Sequence, residues 1–152
     1  MNINGTDLRI LQIIQEDAGL GHKQIAAKAC KSVTTVTESI RRMKDRGYIR
    51  RIVAILDRKK IDRNLVTFSQ VLLSDHTAGT LAEFERQIIQ FPEVMECFQM
   101  AGAFDFILRI ATSDMDAYYD FYRNRLSTLH NINTVQSFFV LSEAKSVTAY
   151  PI

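Results

Sequence analysis

The sequence predicts an α+β protein in two parts, a three-helix N-terminal unit followed by a β-α-β-β-α-β unit. Three observations carry this. Apolar residues recur at helical spacing through the first 46 positions, and β-rich and helical segments alternate after position 65. Charge is split in the same way: residues 1–60 hold 13 Lys/Arg against 6 Asp/Glu, a net +7, and residues 61–152 hold 6 against 11, a net −5. Such asymmetry fits a basic module for a polyanion joined to a module with another task. Finally, 152 residues with 47% hydrophobic content suit one large domain or two small ones with real cores.

Leu8, Ile10, Leu11, Ile13 and Ile14 form a wide apolar stripe that predicts the first helix. Asn4 is placed to cap it, Asp7 suits its positive end, and Gly19 and Gly21 stop it. A short helix follows over 22–29, with Ile25, Ala26 and Ala29 inward; these small residues let a neighbouring helix approach closely. Cys30-Lys31-Ser32 makes a turn, Ser32 caps a third helix, and Gly47 ends it. On that third helix Val33, Val36, Ile40 and Met43 fall on one side. Thr34, Thr35, Glu38, Arg41, Arg42 and Asp45 fall on the other.

A short helix, a three-residue turn and a longer helix with a basic face make the shape of a DNA-reading helix-turn-helix. Arginines on a helix in the major groove pair with guanine O6 and N7, and threonines at its start bond phosphates or touch a thymine methyl. The expected DNA-binding residues are Ser32, Thr34, Thr35, Glu38, Arg41, Arg42, Lys44, Arg46, Arg50 and Arg51. Residues 48–56 are β-rich, and as a wing they would carry Arg50 and Arg51 to the backbone phosphates. The alternative for this unit is docking on protein, which does not need so many unpaired cations.

Residues 57–64 are charged and read as a linker between a domain of residues 1–56 and one of residues 65–152. The second domain is expected to contain strands at 65–73, 94–100, 104–112 and 134–142, and helices at 78–91 and 115–129. Pro92 closes the first helix and Ala101-Gly102-Ala103 makes a turn. The order is that of the ferredoxin-like split unit, with both helices on one sheet face. The other face carries apolar side chains, and a second copy of the sheet is its economical cover, so a dimer is expected. Phe98, Phe104, Phe106, Phe138 and Phe139 read as core or interface.

In sum the chain resembles the Lrp/AsnC family, the leucine-responsive and feast/famine transcription regulators. The residues that carry the likeness are Thr6-Asp7-Leu8-Arg9-Ile10-Leu11, Ile25-Ala26, Ser32 with Arg41-Arg42-Met43, and Gly47-Tyr48-Ile49. It continues through Ala54-Ile55-Leu56-Asp57, Val94-Met95-Glu96-Cys97, Gly102-Ala103-Phe104-Asp105 and Asp114-Met115-Asp116-Ala117-Tyr118. Each piece is short; their order and spacing make the match.

The resemblance implies an N-terminal winged helix-turn-helix that binds double-stranded DNA and a C-terminal ferredoxin-like domain that dimerises, with dimers assembling to an octamer. It also implies an amino acid or small-metabolite effector at contacts between dimers. Carried to this sequence, the effector turn is Met100, Ala101, Gly102, Phe104 and Asp105, faced by Gln136 and Ser137 of another subunit. Gly102 lets backbone amides approach a carboxylate, and Asp105 is suited to hold an α-ammonium. The other reading of Asp105 is a cap on the hairpin. The sequence departs from the family pattern at three places. Cys30-Lys31 replaces the usual Gly-Leu and adds a phosphate-reaching cation. Ala103 stands where an acidic residue is frequent. Arg58-Lys59-Lys60-Ile61-Asp62 replaces a proline-glycine linker.

Two other functions compete. Sirohaem decarboxylases resemble this family in fold and rely on His and Arg, but the second half has only His76 and His130, neither beside an arginine pair. With no P-loop, HExxH or Ser/His/Asp pattern, the expectation is no enzyme, no cofactor and no metal. An architectural protein would bind DNA without an effector. Cys30 and Cys97 form no CxxC pair, so neither a disulfide framework nor a zinc site is expected. No apolar stretch spans a membrane and no leader pattern is visible, which places the expected protein in the cytoplasm, associated with the nucleoid.

Overall fold

The computed structural model describes residues 3–152. It divides into two compact units, one of residues up to Ile55 together with 144–152, the other Leu56–Glu143.

The first unit holds α1 (Gly5–Glu16), α2 (His22–Ala29) and α3 (Val33–Asp45). The starts of α1 and α3 have a local cause. Asn4 accepts from Asp7 N–H at 2.8 Å, and Ser32 accepts from Thr35 N–H at 3.1 Å. Helix α2 ends at Cys30, which takes the left-handed conformation that a glycine favours (φ 53°). Ile10, Ile13, Ile25, Ala26, Val36, Ile40 and Met43 close into one core. Fully burying each larger side chain contributes about 1.5–3 kcal/mol. Val33, expected inward, is 42% exposed at the first position of α3.

An ion pair between a buried carboxylate and a half-buried guanidinium joins α3 to α1. Asp7 is 3% exposed. Arg42 donates to both of its oxygens, from Nε at 3.2 Å and from Nη2 at 2.7 Å. Nη2 also donates to Ser39 Oγ at 3.2 Å, and Asn4 Nδ2 donates to Asp7 at 3.0 Å. Burial alone pushes the Asp7 carboxyl up; hydrogen bonds from Arg42 and Ser39 and the charges of Arg42 and Arg46 together outweigh it and hold the group below its ordinary value.

The second unit is a four-stranded antiparallel sheet in the order β2-β3-β1-β4, with β1 Leu65–Leu73, β2 Val94–Gln99, β3 Phe106–Thr112 and β4 Ile132–Phe139. Helices α4 (Ala78–Ile88) and α5 (Met115–Asn124) pack on one face, where Val71, Leu73, Phe84, Ile88, Phe106, Leu108, Ile110, Tyr118 and Phe121 form the core. The opposite face is uncovered in the single chain: Phe68, Phe98 and Phe138 are 37%, 52% and 46% exposed.

Several expected boundaries move. Strand β3 starts at 106 rather than 104 because Asp105 is engaged in closing the hairpin. Helix α5 ends at Asn124, and residues 126–128 tighten into a 3-10 turn. Strand β4 occupies 132–139 rather than 134–142. The β-rich wing expected over 48–56 forms no strand: among the described residues the segment joins no β-ladder, and an isolated strand is not held. Ile52, Val53, Ile55 and Leu56 are left 51–74% exposed. The segment read as a linker contains a 3-10 turn, Arg58–Ile61, anchored by Arg58 Nη1 on the Asn64 carbonyl at 2.6 Å. Residues 144–152, expected with the second domain, join the first unit through side-chain amides of α1. Gln15 bonds both the N–H and the C=O of Tyr150 (2.9 and 2.8 Å), and Gln12 donates to Ile152 O at 2.6 Å.

The Asp7 carboxyl is depressed in the folded state, so its contribution is present above the unfolded value near pH 4 and is lost as pH falls through the folded value. Asp7→Asn should lose about 1–3 kcal/mol of unfolding free energy at pH 7. That difference should narrow as the pH is lowered through and below the ordinary carboxylate range. Urea unfolding of both proteins at a series of pH values measures it.

Candidate nucleic-acid interface and effector turn

On α3 the residues Val36, Ile40 and Met43 are buried, and the helical repeat turns Thr34, Glu38, Arg41 and Asp45 to the opposite, exposed side. Lys44 and Thr37 flank that face and are exposed. Thr37 was not singled out from the sequence; its position three residues after Thr34 is the signal that marks it. Its hydroxyl donates to Val33 O at 3.0 Å and lies 2.9 Å from His22 Nδ1, so α2 and α3 are joined at this surface.

The ten residues expected at DNA do not share one situation. Thr34, Glu38, Arg41 and Lys44 stand together on the exposed side of α3, with Arg46 at its end. Ser32 and Thr35 hold each other, with hydroxyl oxygens 2.8 Å apart, as the N-terminal cap. Arg42 is turned toward Asp7, which takes its Nε and Nη2 donors. Arg50 and Arg51 are exposed on the irregular segment after α3 rather than on a wing.

The turn between β2 and β3 is built around Asp105. Its N–H donates to Val71 O at 2.9 Å and its C=O accepts from Met100 N–H at 2.7 Å. Its Oδ2 accepts from Leu73 N–H at 2.7 Å and lies 3.2 Å from His76 Nε2. The carboxylate therefore caps the hairpin onto the end of β1, and a histidine faces the same oxygen. Met100, Ala101 and Gly102 are exposed, and Phe104 and Asp105 are half-buried. Gly102 has φ 156°, a conformation side chains disfavour, and open space surrounds the position of a Cβ there.

Gln136 and Ser137 do not face one site from one strand. Neighbouring strand residues point to opposite sheet faces. Ser137 points to the helices, where its hydroxyl bonds Ser69 at 3.0 Å and also the Tyr118 hydroxyl. Gln136 lies on the uncovered face beside Gln70. The sequence places the two as neighbours, and the pleat separates them.

Among the described residues no group of His, Cys, Asp and Glu is placed to hold a metal ion. Both cysteines are free; burial, with Glu85 nearby, pushes the Cys97 thiol up to about 11, which keeps it protonated. No helix among the described residues is long and apolar enough to cross a membrane.

Comparison with known proteins gives two family matches in tandem: "Winged helix-turn-helix DNA-binding" over residues 3–50 and "Lrp/AsnC ligand binding domain" over residues 66–150. The chain is 33% identical to the Bkd operon transcriptional regulator of Pseudomonas aeruginosa, over 96% of this chain and 95% of that one. It is 32% identical to the proline dehydrogenase transcriptional activator of Rhizobium radiobacter, over 91% and 89%. A crystal structure of an AsnC family transcriptional regulator from Agrobacterium tumefaciens superposes with a TM-score of 0.93 at 33% identity, over 98% of this chain and 97% of that one. A transcriptional regulator of Neisseria meningitidis, solved as its L-Met complex, superposes with a TM-score of 0.94 at 27% identity, over 99% and 97%. These relatives are transcriptional regulators rather than enzymes. The chain belongs to the Lrp/AsnC family of DNA-binding transcriptional regulators, with that family's helix-turn-helix and ligand-binding domain.

Proposed function

We propose that α3 enters the major groove of double-stranded DNA with Thr34, Thr37, Glu38 and Arg41 toward the base edges, and that Lys44, Arg46, Arg50 and Arg51 meet the backbone. The observation that carries this is the face of α3 itself. Its buried stripe is spent on the helix core, and the opposite side exposes Thr34 and Arg41 toward bases, with Thr37 beside them. In a cell this reading makes the protein a component of the nucleoid. Replacing Arg41 with Ala should cost about 1–3 kcal/mol on a preferred site and little on random duplex. Replacing Arg50 should weaken all sequences alike and lower the salt slope by about 0.9. Gel shifts over a range of salt measure both, and wild-type behaviour in both variants rejects the assigned face.

The uncovered sheet face supports a homodimer, because three exposed phenylalanines on one face need cover. Dimers of this kind would assemble further to an octamer. Light scattering at micromolar concentration should give a multiple of 17.4 kDa for the wild type. Phe68→Asp in the full chain should lower the measured mass.

The effector is proposed to be an amino acid at the β2–β3 turn, shared with a second subunit that contributes Gln136. The Neisseria relative in its L-Met complex supports the ligand class. The open turn at Gly102 supports the place, with Met100 and Phe104 to shape a side-chain pocket. Ser137 stands outside this site, its hydroxyl being held by Ser69 and Tyr118. A thermal-shift screen of the twenty amino acids tests it, since a ligand of the native state raises the melting point. Asp105→Asn keeps an oxygen for Leu73 N–H but removes the charge. It should melt like the wild type without ligand and lose the ligand-induced rise.

A further inference from the structure

Between the start of α1 and the start of α3 lies a groove of about 580 Å³, lined by Asn4, Gly5, Thr6, Arg9, Lys31, Thr35, Ser39 and Arg42. Its lining contains three cations and no carboxylate. The floor is a closed network: Arg42 is matched by Asp7, Ser39 accepts from Arg42, and Thr35 is held by Ser32. The rim is different. Arg9 and Lys31 are exposed, and among the described residues neither makes an ion pair. Arg9 also borders a smaller hollow with Glu16 and Asp17, without an ion pair to either. Two uncompensated cations therefore stand over a floor whose own charges cancel.

We propose that this groove clamps a phosphate of the DNA backbone between Arg9 and Lys31, beside the groove that α3 reads. The proposal rests on the DNA-reading role given to α3 and adds a second contact to it, from α1 and the interhelical turn. Three features favour a polymer backbone over a small ligand. The groove is open to solvent rather than enclosed, so a phosphate could enter it while remaining part of a longer strand. Thr6 adds a hydroxyl donor at its edge, as phosphate contacts in protein–DNA complexes use. Lys31 immediately precedes Ser32, the cap of α3, so the cation sits at the end of the reading helix that approaches the duplex. Arg9 lies one turn of α1 beyond Gly5 and Thr6, which line the same groove, while Asp7 on the other side of α1 is bound by Arg42 of α3. The phosphate would thus report the docking of α1 on α3, fixing the register of the reading helix without carrying sequence information.

The test uses the full chain with Arg9→Ala, Lys31→Ala and the double variant, beside Arg41→Ala. Both residues are exposed, so unchanged melting is expected and is checked first. Each single variant should weaken binding to a preferred site and to random duplex by the same severalfold factor. Each should flatten the dependence of log affinity on log salt by up to about 0.9. The proposal is overturned if the double variant binds both duplexes like the wild type while Arg41→Ala loses its preferred site; the reading of α3 then stands alone. Failure of all the variants to change binding rejects the α3 face and the clamp together. A loss confined to the preferred site would make Lys31 or Arg9 a base contact and would also overturn the clamp. A separate arm adds inorganic phosphate without DNA. A rise in melting point of the wild type that the double variant lacks, with DNA binding unaffected in that variant, assigns the groove to a free anion instead.

Discussion

The bond between Arg42 and the buried carboxylate of Asp7 sets what the first unit can present. It joins residues 35 positions apart, on the first and third helices, through two donors on one guanidinium. A planar fork on a carboxylate tolerates little rotation. With α3 held at that angle, Val36, Ile40 and Met43 stay in the core, and Thr34, Glu38 and Arg41 have only solvent or a partner to face. The same bond removes one cation from the outward surface and gives the groove beside it a neutral floor. One interaction thus sorts the basic residues of this unit into one held by a carboxylate and those left for a polyanion.

In the second unit the governing constraint is the two-residue repeat of the strand. The helix-facing side of β1 and β3 is filled by Val71, Leu73, Phe106, Leu108 and Ile110, and two helices cover it. Polar residues on that side bond one another: Ser69, Ser137 and the Tyr118 hydroxyl form a small network, while Thr67 Oγ1 has no partner among the described residues. The other side carries the exposed phenylalanines and an Arg109–Glu96 pair at 3.7 Å. The hairpin between β2 and β3 is drawn to β1 by the Asp105 carboxylate. A ligand ammonium arriving there would meet an oxygen that already accepts one backbone bond and faces His76.

The amino-acid order by itself determined the α+β class, the three N-terminal helices with the caps Asn4 and Ser32, the β-α-β-β-α-β order and the basic character of the first sixty residues. These follow from local causes: apolar period, capping side chains within three residues, and composition. Strand β1 and the beginnings of α4, α5 and β2 lie where the local pattern puts them for the same reason. Only the tertiary structure decided which of the basic residues are free. Arg41 and Arg42 are adjacent and equal in the sequence, and a carboxylate on another helix separates them. The pleat, through pairing with Ser69 and Gln70, sent Ser137 inward and Gln136 outward. The β-rich run at 48–56 joins no β-ladder among the described residues, and a strand needs a ladder to hold it. The groove of Arg9 and Lys31 is likewise invisible in the sequence, since its two cations come from different elements and meet only when Asp7 and Arg42 close the helices together.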